Sequence, residues 1–238
     1  MARKIIIDTD PGQDDAVAIL LALASPELEV LGLSIVAGNV PLHHTVNNAL
    51  MICELAGRPD LPVYAGCDAP ISRRLVTAEH VHGKTGLDGI ALPAPAMQAR
   101  PGHAVDFLIE TLRREAPGSV TLVPIGPLTN IATAFARAPD IVSRVQEIVL
   151  MGGAYFGHPP LRPFQVHATA NAHPITAGMQ PFVVNDEQHY VDYDKDPKYV
   201  ILESENLDGL TYEGRGTKSP AGWAYDYGKG RVVFTPVG

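Results

Sequence analysis

The first apolar run of the chain ends in "IIIDTDPGQDDA", residues Ile5 to Ala16, which places Asp8, Asp10, Asp14 and Asp15 within eight positions. Carboxylates gathered this closely repel one another and raise each other's pKa unless a cation or a substrate compensates them. Pro11 and Gly12 force a turn after the run, and a helix starting at Asp14 or Asp15 would offer its N-terminal N–H groups to the anionic side chains. Hard oxygen donors at this density suit Ca²⁺ or Mg²⁺, and no soft ligand stands nearby to favour zinc. A plainer reading stays open, in which Asp14 and Asp15 are helix caps and Asp8 and Asp10 are surface residues at a strand end.

The elements that would position these groups alternate up to about residue 155. "KIIIDTD" is a β-branched run of the kind covered on both faces, and "DDAVAILLALAS" follows with helical spacing and Pro26 beyond its end. "EVLGLSIVAGN" and "PVYAGC" read as further strands, separated by the helix "HHTVNNALMICELAG", which Gly57 closes. A long irregular stretch from Asp68 to Gly102 interrupts the rhythm, and loops of that length inside a domain tend to be functional. Helix "HAVDFLIETLRRE", strand "VTLVPIG", helix "LTNIATAFARA" and strand "EIVLMGGAY" then restore it. Repeated β-α-β units imply an α/β fold, a mainly parallel sheet with helices on both faces, whose ligands bind beyond the carboxyl ends of the strands. After Tyr155 the chain is rich in Pro, His and Tyr and reads as short strands and turns, with "SPAGWAYDY" as a polar loop and "RVVFTPV" as a closing strand.

Composition narrows the function classes. A net charge of −8 without a Lys/Arg-rich run argues against a nucleic-acid partner. No apolar stretch reaches the length of a membrane span, and the N-terminal run is too short for a signal sequence. Cys53 and Cys67 lack metal-ligand spacing and read as buried free thiols in a reducing compartment, so the expected location is cytoplasmic.

"DTDPGQDDA" resembles the signature of the nucleoside hydrolases, the inosine–uridine-preferring N-ribohydrolase family. The similarity continues in order through "VAGN", "NNAL", "PVYAGC", "HVHGKTGLDG", "PIGPLTNIA" and "EIVLMGGAY", across about the first 155 residues. The resemblance implies a Ca²⁺ held by Asp10, Asp15 and the backbone carbonyl of Ile125. It implies that Asp10 and the metal activate a water, that Asp14 and Asn39 hold ribose hydroxyls, that His82 lines the base or ribose side, and that Met151 packs near the sugar. An oxocarbenium-like transition state would be stabilised by the nearby carboxylates. Read singly, Asn39 is a turn residue, His80 and His82 are loop surface and Met151 is core; the collinear pattern is what gives them weight.

Beyond "LMGGAY" the segments that would supply the rest of the ribose site, a further Ca²⁺ ligand and a leaving-group acid do not follow. Instead "GHPPLRPFQV", "HPITAGM", "FVVNDEQHY" and "YGKGRV" resemble the trehalose-utilisation (ThuA-like) proteins, which implies flavodoxin/glutamine-amidotransferase-like strands completing the sheet. The chain reads as a chimera, with a nucleoside-hydrolase-like part over residues 1–155 and a ThuA-like part over 156–238, packed as one α/β domain. Three functions stay open: a Ca²⁺-dependent nucleoside N-ribohydrolase weakened by an incomplete site, a non-catalytic metal- or ribose-binding protein, and a carbohydrate-related ThuA-like activity. Asp186, Glu187 and His189 are the C-terminal candidates for the missing groups. The expected partner is a small nucleoside or ribose, with no nucleic acid and no membrane, and with room for a homo-oligomer.

Overall fold

A computed structural model describes residues 2–89, 92–150, 155–157, 159–186, 188–191, 193, 195–227 and 230–234. The chain divides into two compact units, residues 1–149 and 150–238. In the first, β1 (Arg3–Thr9) leads into α1 (Gln13–Ala24), β2 (Leu28–Ile35), α2 (Leu42–Leu55), β3 (Val63–Ala65) and the single-turn α3 (Glu79–His82). It continues through α4 (Ala104–Arg114), β4 (Val120–Pro124), α5 (Thr129–Arg137) and β5 (Val145–Leu150). The strands form a parallel sheet in the order β3-β2-β1-β4-β5, which puts β1 at its centre.

Alternation along β1 explains the two layers of helix. Ile5 and Ile7 face one core with Ile19 of α1 and Ala49, Ile52 and Cys53 of α2. Ile6 points the other way, into a core with Val105, Leu108 and Leu112 of α4, Leu122 of β4 and Ile131 of α5. A strand buried on both faces needs apolar residues at every position, which is why this run shows no polar alternation. Gly57 ends α2 as expected, with φ of +68° and its N–H bonded to the Glu54 carbonyl. The guanidinium of Arg144 caps α4 by donating to the carbonyls of Leu112, Arg113 and Glu115 at 2.7–2.9 Å.

The second unit contains β6 (Tyr155–Gly157), β7 (Arg162–Ala168), β8 (Phe182–Asp186), β9 (Tyr190–Val191), β10 (Val200–Asn206), β11 (Lys218–Tyr227) and β12 (Gly230–Phe234). Its main sheet is antiparallel throughout, in the order β12-β11-β10-β7-β8, a pairing that the sequence pattern left open. β6 and β9 pair separately, also antiparallel. The stretch read as a polar loop, "SPAGWAYDY", is instead most of β11. Ala221, Trp223 and Ala224 are buried there, and Pro220 is tolerated because it faces Glu203 where the β10–β11 register shifts. No helix among the described residues is long and apolar enough to cross a membrane.

Every α-helix among the described residues lies in the first unit, whereas the single tryptophan, Trp223, lies in the second. Circular dichroism at 222 nm therefore reports mainly on the first unit. Leu122→Ala should lower the urea midpoint of that signal, corresponding to a loss of about 2–5 kcal/mol, because Leu122 is only 1 % exposed at the centre of the second core.

Candidate active site at the carboxyl ends of the strands

The turn after β1 bends its carboxylates inward. Asp10 and Asp15 are 4 % and 3 % exposed, although Asp15 is the third residue of α1 and follows the exposed Asp14. α1 begins at Gln13, one residue before the expected start. Asp15 is then placed to reach back and accept the Gly12 N–H at 3.0 Å with Oδ2, while its Oδ1 accepts the Thr9 hydroxyl at 2.7 Å.

Asn39, in the loop after β2, joins the two acids. Its backbone N–H donates to Asp10 Oδ2 at 2.6 Å. Its side-chain amide donates to the Asp10 carbonyl at 3.0 Å and to Asp15 Oδ2 at 3.2 Å. Burial first, and then the charge of Asp15, pushes the Asp10 carboxyl well above the usual carboxylate range. Burial also raises Asp15, with the charge of Asp14 adding to it and the Gly12 and Thr9 bonds opposing it.

Two glycines make the space for Asp10. A Cβ at Gly38 would overlap Asp10 Oδ2, and one at Gly126 would stand 2.5 Å from Oδ1. Gly126 follows Ile125, and both N–H groups donate to the Asp8 carbonyl, at 3.2 and 2.9 Å. The Ile125–Gly126 peptide thus lies beside the Asp10 carboxylate, while the Ile125 side chain packs into the first core. Asp14 keeps a largely exposed side chain, and the 14 % exposed ring of His82 sits with its Nδ1 4.0 Å from Asp14 Oδ1. Asp10, Asp14, Asp15, Asn39, His82 and Ile125 therefore share one end of the sheet. Met151 and Glu187 lie outside the described residues; Asp186 ends β8 in the second unit.

Sequence reasoning missed the layer beneath. Asp8 is not at the surface: it is 1 % exposed, and its Oδ1 accepts from Ser34 Oγ at 2.5 Å and Asn130 Nδ2 at 2.9 Å. Asn130, fully buried in the first turn of α5, also reaches Ser34 Oγ and the Ile35 carbonyl, and its Oδ1 accepts the Cys67 N–H at 2.8 Å. One amide thus ties α5 to β1, β2 and the loop after β3. The available signal was an Asn on the apolar face that Ile131 and Ala134 continue. Asn48 of α2 is similar, donating to the Pro11 and Thr85 carbonyls at 3.0 and 2.7 Å and holding the histidine loop against the turn.

Residues 5–176 match the sequence profile of the inosine-uridine preferring nucleoside hydrolases. The chain belongs to that family. Residues 135–238 match the trehalose utilisation (ThuA) profile, which overlaps the end of the first match. An uncharacterized protein of Schizosaccharomyces pombe is 57% identical over 152 residues, 64% of this chain and 49% of that protein. The pyrimidine-specific ribonucleoside hydrolase RihA of Photobacterium profundum is 51% identical over 154 residues, 65% of this chain and 49% of RihA. Among solved structures, the purine-preferring ribonucleoside hydrolase of Gardnerella vaginalis aligns with a TM-score of 0.61 and 38% identity over 66% of this chain and 50% of its own. The chain spans about half the length of the curated relatives it matches.

Burial raises Asp8, to about 7, as well as Asp10 and Asp15, so the folded chain binds protons that the unfolded chain has already released. Stability from these groups is complete below the ordinary carboxylate range and is lost as pH rises through the raised values. In metal-free buffer the thermal midpoint at 222 nm should fall between pH 5 and pH 8. Asp8→Asn, which cannot ionise, should flatten that fall; a profile of unchanged slope would show that Asp8 does not titrate there.

Proposed function

We propose that the first unit carries the water-activating and ribose-holding side of a ribonucleoside hydrolase, which splits a nucleoside into base and ribose, with Ca²⁺ as its metal. The observation that carries this reading is the pair of buried acids, Asp10 and Asp15, seated together beside the Ile125–Gly126 peptide in a space that two glycines leave open. The donor set fits a hard cation. Asp10 Oδ1 accepts no hydrogen bond from another of the described residues, and burial and like charge hold both acids above the usual carboxylate range, which a cation would reverse. Asp15 Oδ2 already accepts two N–H bonds, so its Oδ1 has more spare acceptor capacity. Asp10, Asp15 and the Ile125 carbonyl would hold the ion, which lowers the pKa of a bound water when present.

The chain's own groups account for the remaining chemistry. Asp10 takes the proton of the attacking water. Asp14, exposed at the mouth, and the Oδ1 of Asn39 hold ribose hydroxyls. The negative charge of the cluster favours the positive charge that develops on the sugar as the bond to the base breaks. His82 lines the base or ribose side. The overlap of the two family matches at residues 135–176 supports reading the chain as a join of two families. Activity below that of full-length relatives follows, because the hydrolase-like part spans only half their length.

A second reading, a metal- or ribose-binding protein without catalysis, draws on the same half-length match. Calorimetry with Ca²⁺, run beside base release from inosine and uridine, separates the two. We expect Ca²⁺ binding that strengthens as pH rises from 6 to 8, since binding displaces protons from Asp10 and Asp15. Asp10→Ala should lower hydrolysis by about 10²–10⁴-fold. Ca²⁺ binding without base release would leave the second reading, and Ca²⁺ binding unchanged by Asp10→Ala would refute a metal site at Asp10 in either reading.

A further inference from the structure

The ring of His82 has two nitrogens in unlike surroundings. Nδ1 lies 2.7 Å from Gln13 Oε1 and 4.0 Å from Asp14 Oδ1. Gln13 Nε2 is turned towards the Asp88 carbonyl at 3.5 Å, which leaves Oε1 as the amide atom facing the ring. An amide oxygen and a carboxylate only accept, so the proton between them must belong to the imidazole. Nε2 has no hydrogen-bond partner among the described residues.

The ring's position relative to the acids is fixed as well. A Cβ at Gly12 would stand 2.7 Å from His82 Nδ1, 2.9 Å from its Cε1 and 3.0 Å from Asn39 Nδ2. The missing side chain of Gly12 therefore leaves one space bordered by His82 and by the Asn39 amide that joins Asp10 to Asp15. The loop that carries His82 is held at several points. Asp88 accepts the backbone N–H of Lys84 at 2.9 Å and of Thr85 at 3.2 Å, and Asn48 donates to the Thr85 carbonyl.

We propose that Gln13 is a positioning residue that holds neutral His82 as its Nδ1–H tautomer, so that Nε2 offers a lone pair to an N–H or O–H donor of the nucleoside. This rests on the nucleoside-hydrolase reading for the identity of the ligand, but not for the tautomer. Two donors meet the requirement, the ring N–H of a base such as hypoxanthine and the 5′-hydroxyl of the ribose. A histidine with a fixed tautomer accepts from only one side, so the polarity of the contact is set before the ligand arrives.

The test is nitrogen-15 NMR of the full chain above the titration range of the imidazole. Wild type should show His82 with a protonated Nδ1 and a pyridine-like Nε2. Gln13→Met, similar in length but without an acceptor, should give a tautomer-averaged pair of resonances. Gln13→Glu, which restores an acceptor, should return the wild-type pattern. A wild-type proton on Nε2, or a Gln13→Met spectrum identical to wild type, would overturn the assignment whether or not the chain hydrolyses nucleosides.

The ligand half is read with Ca²⁺-loaded protein and inosine. Bound inosine should move the Nε2 resonance towards protonated values, and Gln13→Met should raise KM by about 2–12-fold, the worth of one neutral hydrogen bond. 1-Methylinosine and 5′-deoxyinosine identify the donor: the analogue that lacks it should bind wild type more weakly than inosine and show no further loss with Gln13→Met. Inosine that binds calorimetrically without moving Nε2 would refute this half. If no nucleoside binds at all, the proposed function fails, and the tautomer is still decided by the free protein.

Discussion

Two like charges buried side by side, Asp10 and Asp15, set the terms for this end of the first unit. Neither can be ionised there without compensation, and the chain supplies part of it as N–H and O–H groups from Thr9, Gly12 and Asn39. Those donors come from β1, from the start of α1 and from the loop after β2, so the β1–β2 register cannot slip without separating them. The other neighbour of β1 is constrained too, because Gly126 must approach Asp10 closely enough that even a methyl group would not fit. Beneath this layer, Asn130 fastens α5 to β1 and β2 through a second buried acid, Asp8. The upper layer can be built for binding because the lower layer is built for position.

Much of this was legible in the chain itself. The β-branched run of Ile5 to Ile7 marked a strand covered on both sides, Gly57 marked a helix end, and the strand–turn–helix context put the aspartates at a ligand-binding edge. Asp15 was recognisable as a first-turn acid, but its bond to Gly12 depends on α1 starting at Gln13. Asp8 could not be told from its neighbours by type, because the difference lies in Ser34 and Asn130, 26 and 122 residues away. β11 was misread for a local reason. Ser, Pro and Gly at its start carry turn propensity, and only pairing with β10 and β12 overrides it.

The second unit solves burial differently. Its small apolar clusters, one around Phe164, Val166 and Ala221 and one around Val191 and Trp223, leave much of its interior to polar side chains. Gln188 donates to Ser204 Oγ and the Thr217 carbonyl. The Tyr190 hydroxyl, with one proton to give, has the Gly216 carbonyl at 3.1 Å and Gln188 Oε1 at 3.4 Å as acceptors, and Asn206 donates to Tyr190 and the Leu210 carbonyl. Such a network fixes one arrangement of strands more strictly than oil-like packing does, and it tolerates the loss of any one member poorly. The short, irregular strands that the sequence suggested are consistent with a unit held together by directed bonds.

The way Asn39 spans the two acids has a thermodynamic consequence. Its N–H groups occupy lone pairs of Asp10 and Asp15, so the pair is never bare. A guest that uses Asp10 Oδ1 or Asp15 Oδ1 adds to acceptors that Asn39 leaves open, whereas one that needs Oδ2 of either acid must displace an existing bond. Selectivity follows the same logic: a guest is favoured less by how strongly it attracts carboxylates than by how little it disturbs an amide that is already in place.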